Sequence, residues 1–290
     1  MTVQAYAKVN LTLEVLGVRD DGYHALRSVV MPVSLADTLE VEATGDGEIA
    51  VDSGYADDLC VRAALALRTL CAARGVPGAS RLGARISVAK RIPAGGGLGG
   101  GSADAAATLV ALNGLWAAGL TRGELSDVGA QVGSDVPALA MGGTVVMEGR
   151  GETVSRMPCP AFALDLVLAG PPGTHSSTRQ VYAAFEPRDA VRASATEAMV
   201  GALASGDLDA VAAAMSNDLQ AAAMRLHPEI AAAADILRAA GAHGVTMSGS
   251  GSTVFGLVKS DAEGRAVAAK AEAEGLWAQR VSTVAARMAY

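Results

Sequence analysis

The sequence predicts an α+β protein in two domains, residues 1–155 and 156–290. Three observations carry that expectation. Short alternating stretches and longer alanine-rich runs succeed one another along all 290 residues, the patterns of half-buried strands and of helices. A stretch with six glycines, Gly95 to Gly101 broken only by Leu98, stands between a strand pattern and a helix pattern. Around Met157-Pro158-Cys159-Pro160 the texture changes and a new apolar strand begins, which sets the boundary near residue 155.

In chain order, Val3 to Val15 alternates and reads as one long strand. Lys8, Asn10, Thr12 and Glu14 share one face, and Val9, Leu11, Leu13 and Val15 share the other. By pattern alone Lys8 and Asn10 read as a solvated face. Arg19-Asp20-Asp21-Gly22-Tyr23-His24 is a polar turn ending in an aromatic pair. Val29 to Val33 and Asp37 to Ala43 read as two strands. A helix capped by Asp58 runs to Ala73 and stops at Gly75, with Pro77 beyond. Ala84 to Ala89 is a strand, and after the glycines a helix runs to Asn113-Gly114 with Ser102 or Asp104 as its cap. Thr121 and Glu124 form a capping box for a helix to Val132. Gly133-Ser134-Asp135-Val136-Pro137 reads by itself as one more helix cap, and Gly142 to Met147 returns as a strand.

In the second half, Phe162 to Ala169 is a strand and Gly170 to Val181 a loop. Helices cover Ala195 to Ala204, Leu208 to Met215 and Pro228 to Ala240. A second glycine turn, Ser248-Gly249-Ser250-Gly251-Ser252, precedes the strand Thr253 to Val258; alone it reads equally as a tight β-turn. A helix from Ala262 to Gly275 and a strand from Ala278 to Ala285 complete the domain.

The order strand, glycine loop, helix suits an anion. Glycine lets the backbone take positive φ and admits a bulky ligand, and a helix N-terminus offers free N–H groups. Two familiar phosphate loops fit poorly. The pattern G-x-x-x-x-G-K-[ST] needs a lysine where Gly101 stands before Ser102. The dinucleotide pattern is met by Gly95, Gly97 and Gly100, but it needs an acid roughly 20 residues on. That region, Leu115-Trp116-Ala117-Ala118-Gly119, has none.

Composition narrows the function classes. The net charge of −7 speaks against nucleic acid and anionic membrane as partners. Cys60, Cys71 and Cys159 have no C-x-x-C spacing and read as free thiols. Four scattered histidines argue against a zinc site. The first residues lack the layout of a signal peptide, and no apolar run reaches 18 residues, so a cytoplasmic protein is expected.

The stretch Pro93 to Ala103 resembles the phosphate loop of the GHMP small-molecule kinases, P-x-G-x-G-L-G-S/G-S-S/G-A. Pro93, Gly95, Gly97, Leu98, Gly99, Gly101, Ser102 and Ala103 stand in that motif. The resemblance implies an S5-like ATP-binding half and a ferredoxin-like half with a cleft between them. It assigns ATP to the whole loop, Ala94, Gly96 and Gly100 included, and to Leu59 and Lys90. Mg²⁺ is expected with the ATP, and Ser102 is a candidate ligand for it. Gly133 to Pro137 is similar to the family's G-x-D-V-P, which makes Asp135 the expected catalytic carboxylate, with Lys8 beside it. The late glycine turn resembles the motif that closes over the phosphate loop.

Two further stretches, Ala7-Lys8-Val9-Asn10-Leu11 and Arg19 to His24, resemble one branch of the family. Its acceptor is a small-molecule substrate, a methylerythritol carrying a cytidine diphosphate, in the non-mevalonate route to isoprenoids. Asn10, Tyr23, His24, Tyr182 and Ser250 are therefore expected to bind that substrate. Tyr182 reads alternatively as a core residue of the second domain. Where the family usually has Asn-Leu near the adenine, this chain has Asp58-Leu59, which leaves that contact open. A different kinase of the family and a non-catalytic nucleotide sensor are the competing readings. The Tyr-His turn speaks against the first, and the retention of Lys8 and Asp135 against the second.

Overall fold

The computed structural model describes residues 1–55, 58–158, 162–191 and 194–284; Cys159 lies outside them. The first half opens with β1 (Thr2–Asn10) and β2 (Thr12–Val18). The single strand expected here is broken at Leu11, whose N–H donates to Val29 O. A 21-residue strand, β3 (His24–Thr44), replaces the two strands expected at 29–33 and 37–43. It has the length to serve β1, β2, β5 and β6 as an antiparallel partner along successive segments. Around it stand β4 (Ile49–Asp52), α1 (Leu59–Ala73), β5 (Gly83–Ala89), α2 (Gly100–Leu115), α3 (Arg122–Gly129), α4 (Val136–Met141), β6 (Val145–Gly149) and β7 (Thr153–Arg156). The sheet is mixed, because β4 joins β5 in parallel.

Capping follows the sequence at two helices and departs from it at two others. Asp58 accepts from Cys60 N at 2.6 Å to start α1, and Thr121 with Glu124 forms the capping box of α3. Neither Ser102 nor Asp104 caps α2; its N-cap is Gly99, in a left-handed conformation. Asp135 precedes α4 but makes no side-chain cap bond. Both carboxylates are thus directed elsewhere.

The second half carries β8 (Asp165–Gly170), α5 (Thr178–Ala184), α6 (Ala195–Ser205), α7 (Leu208–Ala214), β9 (Ser216–Asn217), α8 (Gln220–Leu226), α9 (Pro228–Ala240), β10 (His243–Met247), β11 (Val254–Val258), α10 (Asp261–Ala273) and β12 (Trp277–Ser282). Its sheet is antiparallel, in the order β10-β11-β8-β12. The loop expected from 170 to 181 is shorter than read, because Thr178 already begins α5. The alternation read as β-like along β8 sends Leu166 and Leu168 to one face and Val167 and Ala169 to the other. The first pair joins the principal core, which also contains Val33 and Leu35 of β3. The second pair lies under α8, α9 and α10 in a separate core. The principal apolar core therefore reaches both sheets and fixes one half of the chain against the other.

Past β12 the chain returns to β3: Val284 N donates to Pro32 O, and Thr283 N to Leu164 O. The glycine loop is the other junction. Gly96 O accepts from Thr253 N at 3.1 Å, and Gly97 O from Ser248 Oγ at 2.9 Å. A side chain at Gly97 would meet Ser248 O at 2.1 Å, with φ at +74°. We expect Gly97→Ala to cost more than the roughly 1–2 kcal/mol of a left-handed non-glycine residue, because the second half must also shift. Gly45→Ala, with nothing within 4 Å, should stay within about 0.5 kcal/mol of the parent. Thermal melts of the two variants compare them directly; equal melting temperatures would contradict this docking.

Candidate active site

A cleft of about 1150 Å³ lies between the halves, walled by the glycine loop, β1, the start of β3, α5 and the late glycine turn. Every site residue expected from the sequence lines it except Ala103. Ala103 is buried inside α2, where its N–H donates to Gly99 O at 2.8 Å, so it shapes the helix start rather than the cleft.

The loop's conformation explains its glycines. Gly95, Gly97 and Gly99 all have positive φ, between 69° and 74°, the alternating pattern that turns backbone N–H groups into an anion-binding concavity. At its end α2 presents its free N–H groups. The loop's carbonyls at 96 and 97 are held from outside by Thr253 and Ser248. The glycine at 97 is therefore demanded by the protein's own second half, whatever the loop holds.

Lys8 enters this concavity from below. A register shift in β1 between Tyr6 and Lys8 frees Lys8 N to donate to Leu98 O at 3.0 Å. Its side chain is buried, 2% exposed, not solvated as the alternation alone suggests. The ammonium donates to Asn10 Oδ1 at 2.6 Å and pairs with Asp135 Oδ2 at 3.5 Å. Asn10 in turn donates to Ser28 Oγ at 2.8 Å, so its amide is committed to holding Lys8. Gly99 lies between the two charges: a side chain there would meet Lys8 Cγ at 3.1 Å and Asp135 Oδ2 at 3.6 Å. A helix N-terminus, an ammonium and a carboxylate thus converge on one point.

Lys90 stands on the other side of the loop and is not free. Its ammonium bonds both Asp37 and Asp104. Burial works against its charge, and the bonds to Asp104 and Asp37 outweigh that and leave its pKa raised. Asp37 further accepts from Ile92 N at 2.8 Å, fixing the strand end that leads into the loop. Asp104 is 4% exposed and its Oδ1 has no hydrogen-bond partner. Burial pushes its carboxyl up to about 7, against the pull of Lys90.

Another wall of the cleft is aromatic. Arg19 pairs with Glu152 at 2.8 Å and Tyr23 N donates to Asp21 Oδ1 at 3.1 Å, which pins the Tyr-His turn to the β6–β7 connection. Tyr23 is 57% exposed, with the Arg150 guanidinium 5.3 Å from its ring centre. The His24 ring lies 5.1 Å from that of Tyr182, tilted by 32°, and meets Phe185 edge-on at 6.1 Å. Tyr182 lines the cleft and also packs on the second core, so its ring is partly committed to the fold and partly turned to the cleft. Ser250 lines the cleft, its hydroxyl 2.8 Å from Thr178 Oγ1. Ser102 and Leu59 border the helix start.

Pattern reading missed Asp37, Arg150 and Thr178, and it cast Asp104 as a cap. Only pairing across the fold gives them their surroundings. A hint was present for Asp104, an acid inside an otherwise alanine-rich buried helix.

The raised Asp104 pKa makes a testable sign. A carboxyl that binds its proton more tightly in the native state than when unfolded, where 3.8 is its ordinary value, loses stability for the fold as pH rises from about 4 to about 7. Asp104→Asn removes that ionisation. The melting temperature of Asp104→Asn relative to the parent should therefore rise between pH 4.5 and pH 7.5. A difference independent of pH would mean that Asp104 does not titrate in that window.

Comparison with known proteins accords with this geometry. The family profile for the GHMP kinases N terminal domain matches residues 58–143, and that for GHMP kinases C terminal matches 199–275. The chain is 44% identical over 277 residues to a 4-diphosphocytidyl-2-C-methyl-D-erythritol kinase of Pelotomaculum thermopropionicum, covering 93% of each chain. It is 43% identical over 259 residues to the enzyme of that name from Symbiobacterium thermophilum, covering 89% of this chain and 90% of the other. A crystal structure of 4-(cytidine 5'-diphospho)-2C-methyl-D-erythritol kinase superposes with a TM-score of 0.80 at 36% identity, covering 98% and 99% of the chains. A homoserine kinase from Cytophaga hutchinsonii shares the fold at 16% identity and a TM-score of 0.72. The protein is a member of the GHMP kinase family.

Proposed function

We propose that this chain transfers the γ-phosphate of ATP to the 2-hydroxyl of 4-diphosphocytidyl-2-C-methyl-D-erythritol, a step of the non-mevalonate route to isoprenoids. The observation that carries this reading is the make-up of one cleft. A glycine loop with a Lys–Asp pair and the rings of Tyr23, His24 and Tyr182 line it together. A flat base with polar edges needs stacking faces and edge donors, and these residues offer both. The relatives at 43–44% identity bear the name of that kinase.

In this mechanism the loop N–H groups and the α2 N-terminus hold the ATP phosphates. Phosphoryl transfer asks mainly for positioning and charge neutralisation. Lys8 faces the charge that develops on the transferring group. Asp135 accepts the hydrogen bond of the attacking hydroxyl and takes its proton as the bond forms, with the Lys8 ammonium 3.5 Å from its Oδ2. Asn10 keeps Lys8 in place. Lys90 stands between Asp37 and Asp104 and shapes the loop's approach rather than offering a free charge. Mg²⁺ is the expected companion of ATP, and Ser102, lining the cleft at the start of α2, offers the hydroxyl that would hold it. Phosphates and water would supply the other ligands, and the ion's chemistry there is neutralisation of phosphate charge. The division near residue 155 belongs to the same proposal; β7 lies in the first sheet and runs to Arg156, and β8 lies in the second sheet, which sets the division just after β7 rather than within it.

ADP release with the cytidyl substrate, mevalonate, homoserine and galactose tests the reading. Turnover confined to the cytidyl substrate is expected, and turnover of another acceptor alone would overturn it. Asp135→Ala and Lys8→Ala should each lower kcat by about 10²-fold or more. The double variant should lose little beyond either single one, since the two act as a unit. Near-normal turnover in either single variant would reject these roles. Tyr182→Ala should raise the KM of the cytidyl substrate about 5- to 150-fold, the worth of roughly 1–3 kcal/mol of stacking, with ATP little affected. It should also melt earlier, since the ring packs on the second core. Tyr182→Phe should be silent in both measurements. An unchanged KM in Tyr182→Ala would leave the ring a core residue only.

A further inference from the structure

Asn217 has no place in the reaction described so far, and it does not line the cleft. It is nevertheless 1% exposed and uses both ends of its amide. Nδ2 donates to Met247 O at 2.7 Å and to Gly249 O at 2.8 Å, while Oδ1 accepts from Leu219 N at 2.9 Å. Its backbone lies in β9, which pairs in parallel with β2 at Thr12 and Leu13. Ser216 N donates to Leu11 O and Asp218 N to Leu13 O. Asn217 is therefore anchored in the first sheet, immediately beyond the strand that carries Lys8, while its side chain holds the late glycine turn of the second half.

That turn touches the reacting groups directly. A side chain at Gly249 would meet Lys8 Nζ at 3.1 Å and Gly97 O at 3.1 Å. Ser248, one residue earlier, donates from Oγ to Gly97 O. The position of Gly249 thus fixes one wall around the Lys8 ammonium and the setting of the loop at Gly97. Two N–H donors diverging to carbonyls two residues apart, with an acceptor at the same branch point, are what a primary amide supplies at this reach.

We infer that Asn217 is a positioning residue for phosphoryl transfer: its amide suspends the 248–251 turn at the height that sets Lys8 and Gly97 against the transferring phosphate. The claim rests on the roles proposed for Lys8 and the loop. It separates two neighbours in sequence. Asp218 is buried as well, but it accepts from Val15 N and Val191 N, both at 2.8 Å, and so holds β2 and the segment before α6 rather than the turn. Asn217 should matter to kcat, Asp218 to stability.

The test uses the full chain and three variants. Asn217→Ser keeps an oxygen able to accept from Leu219 N but is too short to reach the two carbonyls. Asn217→Asp keeps the shape but loses the donors. Asp218→Asn is the control for destabilisation. For each, kcat and both KM values are measured per folded molecule, well below that variant's melting temperature. We expect kcat to fall at least 10-fold in Asn217→Ser and Asn217→Asp, a larger change than any in the KM of the cytidyl substrate, whose expected contact Ser250 lies in the same turn. Asp218→Asn should melt earlier and keep kcat within threefold. Either Asn217 variant that folds suffices to judge. A kcat within threefold of the parent, or a changed cytidyl KM with unchanged kcat, would overturn the inference. So would an equal loss of kcat in Asp218→Asn. Failure of the parent itself to turn over the cytidyl substrate would instead defeat the underlying reading, and this inference with it.

Discussion

A buried ammonium organises this protein. Taking the Lys8 charge out of water is costly unless it is paired and hydrogen-bonded, and each neighbouring feature answers that demand. Asn10 and Asp135 surround the ammonium. Ser28 fixes Asn10. The register shift in β1 lets the Lys8 backbone hold the loop at Leu98. Asp135 leaves the cap of α4 unmade so that its carboxylate can face Lys8. Moving any one of these would leave a charge or polar group buried without its partner.

The same constraint explains why the two halves cannot be treated as independent. The loop that offers N–H groups to an anion must direct its carbonyls away from it. Those at Gly96 and Gly97 point into the second half, where Thr253 and Ser248 receive them. The apolar core follows suit, with β3 and β8 contributing to one cluster. His175 adds another tie, its Nδ1 lying 3.1 Å from Ala94 O. Preorganisation of the anion site is thus a property of the interface between the halves.

How much of this was legible beforehand depends on the range of the interaction concerned. The glycine loop, the capping box at Thr121, the cap at Asp58 and most helices are local, and their residues announce them. The resemblance carried Lys8, Asp135, Tyr23, His24 and Tyr182 into a common cleft, which periodicity could not have done: Lys8 and Asp135 lie far apart in the chain. Pattern reading went astray where a local rule met a distant partner. Alternation put Lys8 and Asn10 on a solvated face, yet Asp135 and the second half, at Gly249 and Thr196, close over that face. Cap preference placed Ser102 or Asp104 at the start of α2, yet Asp104 belongs to Lys90. The break at Leu11 and the short α8 left no mark strong enough to read, since each is set by contacts made across the fold.

The central claim is that the anion loop, the Lys–Asp pair and the aromatic wall serve one transfer to one hydroxyl. Phosphorus NMR of the full chain mixed with ATP, Mg²⁺ and the cytidyl substrate tests it without any variant. The account predicts ADP in step with one new phosphomonoester signal, assigned to the hydroxyl on the methyl-bearing carbon, while the substrate's own diphosphate signals persist. Release of inorganic phosphate with the substrate unchanged, or an ester at a different hydroxyl, would contradict it.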